Sequence, residues 1–300
     1  MNIIELQSYI ESIEKNASLK EAKKLEQRIE VIDFIEFHIL FLIEDLQGNA
    51  IPFFNLISLK DRAEKIKAEL EEINRWLFDR LRTQIQLATD KTKEFKSLVD
   101  QYIDYDLYDN VNRQEIAYDH LDILINGLCN FLDIPEQTKD LDHEMVYYQK
   151  TPARIVLELV EKSNYQKGDF FVDLGSGLGQ VAILVNLLTG IPCKGIEYEP
   201  SFCSYADICA KGLTLSNVTF LEADARKADY SEGTIFFMFT PFRGEMMEEV
   251  LKLLKIQSVL RKIKIITYGP CTSQVALQDW LHFAIPKHDD MYQLGIFTSL

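Results

Sequence analysis

The stretch Phe170-Phe-Val-Asp-Leu-Gly-Ser-Gly-Leu-Gly-Gln180 constrains this chain more than any other. Phe170, Phe171 and Val172 form a short aromatic and β-branched run, the pattern of a buried strand. Asp173 stands at its carboxyl end. Gly175, Gly177 and Gly179 follow at two-residue spacing, and Val181 to Leu188 reads as an apolar helix. Strand, glycine turn and helix open a doubly wound α/β sheet, where ligands sit beyond the carboxyl ends of the strands. Glycines there tolerate positive φ and admit a ligand close to the backbone.

A second strand, Ile191 to Glu197, ends in a carboxylate 22 positions past Gly175. An acid at that place accepts hydrogen bonds from ribose hydroxyls, so a nucleoside-containing ligand is expected. A dinucleotide fingerprint needs Gly-x-Gly-x-x-Gly, but Gln180 occupies its last position. The spacing is Gly-x-Gly-x-Gly, preceded by Asp173.

Asp-x-Gly-x-Gly-x-Gly resembles motif I of the class I S-adenosylmethionine (SAM) methyltransferases. The longer string Val172-Asp-Leu-Gly-Ser-Gly-Leu-Gly-Gln-Val181 resembles the non-SET, disruptor-of-silencing type of histone lysine methyltransferase. The resemblance spans roughly residues 145 to 300. It implies SAM as cofactor and a Rossmann-like, seven-stranded α/β sheet. It also implies site residues. Loop amides from Gly175 to Gly179, with Ser176 and Gln180, face the ligand's carboxylate, and Asp173 faces its ammonium. Glu197 takes the ribose. Asp224, next to Ala225, takes the adenine amino group, and Tyr198 packs nearby. Tyr148 and Thr151 close over the amino-acid end. Thr151 is also expected to cap a helix beginning at Pro152, and Ser201 to cap the helix after Glu197.

At the end of the fourth strand, Thr234 to Phe239, stands Thr240-Pro241-Phe242, the place where a methyl acceptor meets the sulfonium in the resembling family. Amino-group methyltransferases often carry Asn/Asp-Pro-Pro-Tyr/Phe there. This chain lacks the leading Asn or Asp and one Pro. A backbone carbonyl, the Thr240 hydroxyl and the Phe242 ring remain as acceptor contacts, with Tyr147 and Thr240 as candidate bases. A fifth strand over Ile263 to Pro270 follows. Two apolar runs, Leu281 to Pro286 and Tyr292 to Thr298, flank the polar turn Lys287 to Asp290. They predict the antiparallel pair that closes a class I methyltransferase sheet.

The first 135 residues read as an all-helical domain. Leu19 to Leu46 carries Leu25, Ile29, Ile32, Ile35, Phe37, Ile39 and Ile43, the pattern of one long core helix, stopped by Gln47 to Pro52. Ser58 and Asp61 resemble a capping box. Leu59, Ala63, Ile66, Leu70, Ile73, Leu77 and Leu81 follow at near-heptad spacing, which predicts bundle packing in a helix reaching about Ile103. An acidic, tyrosine-rich turn, Tyr102 to Asp109, precedes a helix from Asn112 with Ile116, Leu121, Leu124, Leu128 and Phe131. Residues 136–150 read as a linker and SAM-covering segment, and 151–300 as the catalytic domain.

Composition limits the partners. A formal net charge of −15 argues against a broad grip on nucleic acid and favours a basic protein partner. The acid excess lies mostly in the helical half, where a docking or homo-oligomer surface is expected. Five scattered cysteines and the absence of paired metal-ligand histidines fit a reducing compartment without a metal centre. Met1 to Glu5 shows no basic start to a signal, and no stretch suits a bilayer, so a cytoplasmic setting without membrane insertion is expected. The activity implied is methyl transfer to an acceptor, with a protein lysine first. A small-molecule methyltransferase with a helical lid and a non-catalytic SAM-binding scaffold stay open.

Overall fold

The computed structural model describes residues 3–46, 53–105, 114–130, 134–283 and 290–300. The chain forms two compact units, one of residues 1–83 and 97–104, the other of 84–96 and 105–300.

The first unit is helical: α1 (Ile3–Lys15), α2 (Leu25–Phe34), a π-helical segment (Ile35–Leu40), α3 (Phe41–Leu46), α4 (Phe53–Leu87) through Thr83, and α5 (Lys91–Tyr102) from Ser97. Leu6, Ile10, Ile35, Ile39, Ile43, Leu59 and Ala63 share one core. The expected single helix from Leu19 is interrupted. Two 3₁₀ turns cover Ala17–Lys20 and Ala22–Lys24, and the π segment changes the helical phase after Phe34. Phe37, expected inside, is exposed. The helix expected to reach Ile103 breaks at residues 88–90, and Ser58 lies inside α4 rather than at a cap.

Arg28 organises this unit. It is fully buried, and its guanidinium donates to Asn74 Oδ1 at 2.7 Å and to the carbonyls of Leu19, Glu21 and Ala22. Burial lowers its pKa. The bond explains a departure from the heptad spacing on α4, where Ile73 is half-buried and Asn74 takes the inside position.

The second unit carries the sheet. Its strands are β1 (Phe171–Leu174), β2 (Cys193–Glu197), β3 (Val218–Glu222), β4 (Ile235–Phe239), β5 (Lys264–Tyr268), β6 (Leu281–Phe283) and β7 (Leu294–Ser299). The order is β3-β2-β1-β4-β5-β7-β6. The first five strands pair in parallel, while β7 runs antiparallel to both β5 and β6. Helices α6 (His120–Cys129), α7 (Ala153–Ser163), α8 (Gln180–Thr189), α9 (Pro200–Gly212), α10 (Gly244–Leu260) and α11 (Cys271–Ala276) complete it. Strand β4 is wholly apolar, and β1 and β5 are apolar except for Asp173, Lys264 and Thr267, as suits central parallel strands buried on both faces. This is the seven-stranded order expected from the terminal strand pair.

Helix α6 begins at His120, capped by a box in which Asp119 accepts from Leu121 N and Asp122 accepts from Asp119 N. The expected starts and stops at Gln47 to Pro52 and Asn112, the end of the acidic turn, Phe131 and residues 284–289 lie outside the described residues. No helix among the described residues is long and apolar enough to cross a membrane.

Replacing Arg28 with Met strips four acceptors of their donor inside the core. The variant is expected to lose about 3 kcal/mol or more of stability, read as a lowered urea midpoint. An unchanged midpoint would remove Arg28 from its organising role.

Candidate active site

A cleft opens at the carboxyl ends of the parallel strands of the second unit, as the topology requires at the switch between β1 and β4. Of the residues the sequence singled out, Tyr147, Tyr148, Thr151, Asp173, Gly175, Ser176, Gln180, Glu197, Tyr198, Ala225, Thr240, Pro241 and Phe242 line it. Gly177, Gly179 and Asp224 do not.

The glycine loop is shaped by steric exclusion. Gly175, Gly177 and Gly179 all have positive φ. A Cβ on Gly175 would stand 2.3 Å from Pro241 Cβ, and one on Gly177 would stand 2.1 Å from the Tyr148 ring. Tyr148 therefore lies directly on the loop, and Pro241 closes against it from the other side. Gly179 is packed under Phe220 and Ala206.

The loop amides were expected to hold a ligand carboxylate, but they are used within the fold. Gly175 N and Ser176 N donate to Ile196 O, Gly177 N to Glu197 Oε2 at 2.7 Å, and Gly179 N to Ser176 O. Helix α8 starts immediately afterwards, and the amides of its first turn have no intrahelical acceptor. They are the donors left for an anion.

Glu197 is held firmly. Its two oxygens accept from Gly177 N and from Glu199 N at 2.8 Å. Burial raises its pKa against these bonds. Asp173 is different. It is only 3% exposed, and among the described residues no hydrogen bond or ion pair engages its carboxylate. Burial first, then the neighbouring Glu197 charge, pushes its pKa to about 8. In the same cleft, Ser176 Oγ and both amide atoms of Gln180 are buried without partners among the described residues. Native folds rarely leave such groups unmatched away from a ligand site.

Asp224 was expected to read an adenine amino group. Its carboxylate instead receives the Arg226 guanidinium, at 2.7 Å from Nη2, and the Arg226 backbone N–H. The hydrogen bond from Arg226 is the main cause of its lowered pKa. Arg226 also reaches Asp142. Thr151 lines the cleft but caps nothing. The Ala153 amide that opens α7 is taken by Asp122 Oδ1 at 2.8 Å, across from α6. Likewise Glu199, not Ser201, caps α9.

Thr240 has φ +40°, unusual for a β-branched residue and a mark of stored strain. Its hydroxyl is occupied, donating to Tyr268 O at 3.3 Å and accepting from Cys271 N at 3.1 Å. The strain turns Pro241 and Phe242 into the cleft. Phe239, Pro270 and Tyr292 line the same end. Phe239 packs on Tyr268 with ring centroids 4.8 Å apart and on Tyr292 at 6.5 Å. This aromatic wall was missed, because Phe239 and Tyr292 read in sequence as ordinary strand residues.

Residues 136–147 also proved to be part of the site. Val146 N donates to Pro241 O and Arg243 N to Glu144 O, so this strap pairs with the loop after β4. Glu144 accepts from Glu245 N and Met246 N at the start of α10. Gln137, Leu141 and Met145 line the cleft from the strap. Among the described residues no cluster of His, Cys, Asp or Glu could hold a metal ion.

Residues 142–236 match the family described as Histone methylation protein DOT1. No curated protein matches the chain. Solved structures that it resembles include an RNA methyltransferase from Salinibacter ruber in complex with S-adenosyl-L-homocysteine, at 19% identity and TM-score 0.41, covering 50% of this chain and 92% of that one. A SAM-dependent methyltransferase from Aquifex aeolicus is 18% identical at TM-score 0.38, covering 48% and 88%. The ribosomal protein L11 methylase from Lactobacillus delbrueckii subsp. bulgaricus is 11% identical at TM-score 0.38, covering 49% and 76%. The second unit thus has the seven-stranded order and glycine loop expected of a class I methyltransferase fold, and its segment 142–236 is similar to the DOT1 histone methylation family.

Proposed function

We propose that the protein transfers the methyl group of SAM to a lysine side chain of a basic protein, in a reducing cytoplasmic setting. The match of residues 142–236 to a histone methylation family carries this reading. The net charge of −15 supports a basic partner, with the acidic amino-terminal half as its docking or self-association surface. Five buried cysteines suit a reducing compartment.

The residues present fit the cofactor. Asp173 is a buried carboxylate awaiting a cation, which the amino group of SAM provides. Glu197 keeps lone pairs for ribose hydroxyls. The first turn of α8, with Ser176 and Gln180, offers donors to the cofactor's carboxylate. Tyr148 and Thr151 cover that end. When bound, SAM supplies an electrophilic methyl carbon on a positively charged sulfur. The chain's contribution is to orient both reactants and exclude water.

The acceptor end suits a lysine. Tyr147, Phe239, Phe242 and Tyr292 present aromatic surface to an alkylammonium stem, and such faces attract cations. The acids lining the cleft are Asp173 in β1, Glu197 at the end of β2 and Glu199 just beyond it. Since the Thr240 hydroxyl is engaged and the exposed Tyr147 lies at the cleft mouth, the acceptor loses its proton to solvent.

Three measurements follow from this chemistry. Tritiated SAM incubated with the protein and cell lysate is expected to label a protein band. Label confined to the organic extract would favour a small-molecule acceptor, and S-adenosylhomocysteine binding without transfer a scaffold. The transfer rate is expected to climb with pH toward the lysine pKa near 10. A plateau near neutrality would reveal a base within the cleft.

The third concerns Asp173. Its carboxyl holds a proton in the folded protein up to about pH 8 but ionises near 4 when unfolded. Its contribution to stability is therefore full below about pH 4 and is lost as pH rises through 8. An ammonium ligand favours the ionised form, so binding releases a proton. Calorimetry should show S-adenosylhomocysteine affinity rising from pH 6 to 8. Asp173→Asn should flatten that rise and weaken binding by about tenfold or more. A flat wild-type profile would place the ammonium elsewhere.

A further inference from the structure

Glu199 takes no part in the chemistry described so far. It lies two residues beyond Glu197, is fully buried, and accepts four hydrogen bonds. Ser201 N donates to Oε1 at 3.0 Å, which caps α9. The other three come from the strap: Thr138 N to Oε2 at 2.9 Å, Lys139 N to Oε2 at 2.8 Å, and Thr138 Oγ1 to Oε1 at 2.6 Å. A cap needs only the first. The other three join segments about sixty residues apart.

Around this post the strap is fastened at further points. Ser201 Oγ donates to Glu136 O at 2.8 Å. Lys139 Nζ pairs with Glu222 at 2.7 Å, donates to Tyr198 O, and sits 4.8 Å above the Tyr198 ring. Residues 136, 138 and 139 are thus tied to the loop after β2. Gln137, between two tied residues, lines the cleft, and so does Leu141 just beyond. Tyr198, held under Lys139, lines the same cleft.

We propose that Glu199 is a positioning residue for the adenosine end of the cofactor: it pins the strap so that Gln137 and Leu141 line the cleft together with Glu197 and Tyr198. Because hydrogen bonds from backbone amides to a charged carboxylate are roughly twice as strong as neutral ones, one side chain suffices to hold a segment without regular structure of its own. Burial pushes the Glu199 carboxyl up, but the bonds from Thr138, Lys139 and Ser201 outweigh it and hold it at about 2. The post therefore stays charged across the working pH range. The inference rests on the proposed placement of SAM in this cleft.

Calorimetry with S-adenosylhomocysteine tests it on three variants of the full chain. Glu199→Gln is expected to bind about tenfold more weakly or worse. Thr138→Val removes one donor from an exposed strap residue and leaves the α9 cap intact. It should weaken binding about threefold or more while the ligand-free melting temperature stays within a degree. The double variant should bind no more weakly than Glu199→Gln alone, since both act through one contact. Affinities of Glu199→Gln and Thr138→Val within twofold of wild type, or independent additive losses in the double variant, would overturn the role of Glu199. Wild-type protein that ignores S-adenosylhomocysteine would overturn the proposed function, and this inference with it.

Discussion

The site is built around a carboxylate that the fold does not satisfy. Asp173 stands one residue before the end of β1, an inner strand of the sheet, nearly inaccessible and without a hydrogen-bond donor among the described residues. An isolated buried charge is costly enough that such a group usually keeps its proton, and its pKa of about 8 expresses that. A domain tolerates this cost where a ligand relieves it. The same cleft holds Ser176 Oγ and the Gln180 amide unmatched. The unsatisfied groups are clustered, and their combined demand is for a ligand with a cation, hydrogen-bond acceptors and donors at one end.

What holds that cluster open is steric interlock between segments distant in sequence. Pro241 occupies the space that a Cβ on Gly175 would need, and Tyr148 the space above Gly177. The strap then bonds to the loop after β4 through Val146 and Pro241. Thr240 adopts positive φ at that junction, and its hydroxyl bridges to the loop after β5. Strap, glycine loop and acceptor loop therefore fix one another. A change in any of the three alters the distance between the cofactor end and the acceptor end of the cleft.

Much of this was legible in the sequence, for physical reasons. Short aromatic and β-branched runs bounded by turn residues have few alternatives to buried strands, so β1, β4 and β5 fell where expected, and β2 and β3 followed from the alternation of strand and helix in this topology. Glu197 was legible because a carboxylate ending the second strand has a fixed place in this topology. Side-chain partnerships were not. Asp224 looked free to bind a ligand, because nothing in one dimension shows that Arg226, two residues on, folds back onto it. Thr151 looked like a cap because the rival acceptor of the Ala153 amide, Asp122, lies 31 residues before Ala153 on another helix. The phase change at the π-helical segment and the inward Asn74 share that cause. Both are set by tertiary contacts that local spacing does not encode.

The partners of the acids also bear on the charge of the chain. An excess of Asp and Glu invites the view that the surface is made for a basic partner. Around the cleft the acids serve a different purpose. Glu144 receives the first amides of α10, Asp122 the first amide of α7, Glu199 those of the strap and of α9, and Glu197 those of the loops beside it. Carboxylates at helix starts are favoured by the exposed amides and the helix dipole, and here each fastens one segment of the site to another. Part of the negative charge near the active site is therefore architectural, spent on backbone N–H groups. Under the proposed function, attraction of a basic substrate would fall to the acids outside this framework, which are concentrated in the amino-terminal half. Asp173, the cleft acid without such a donor, is set apart by that same distribution as the one kept for a ligand.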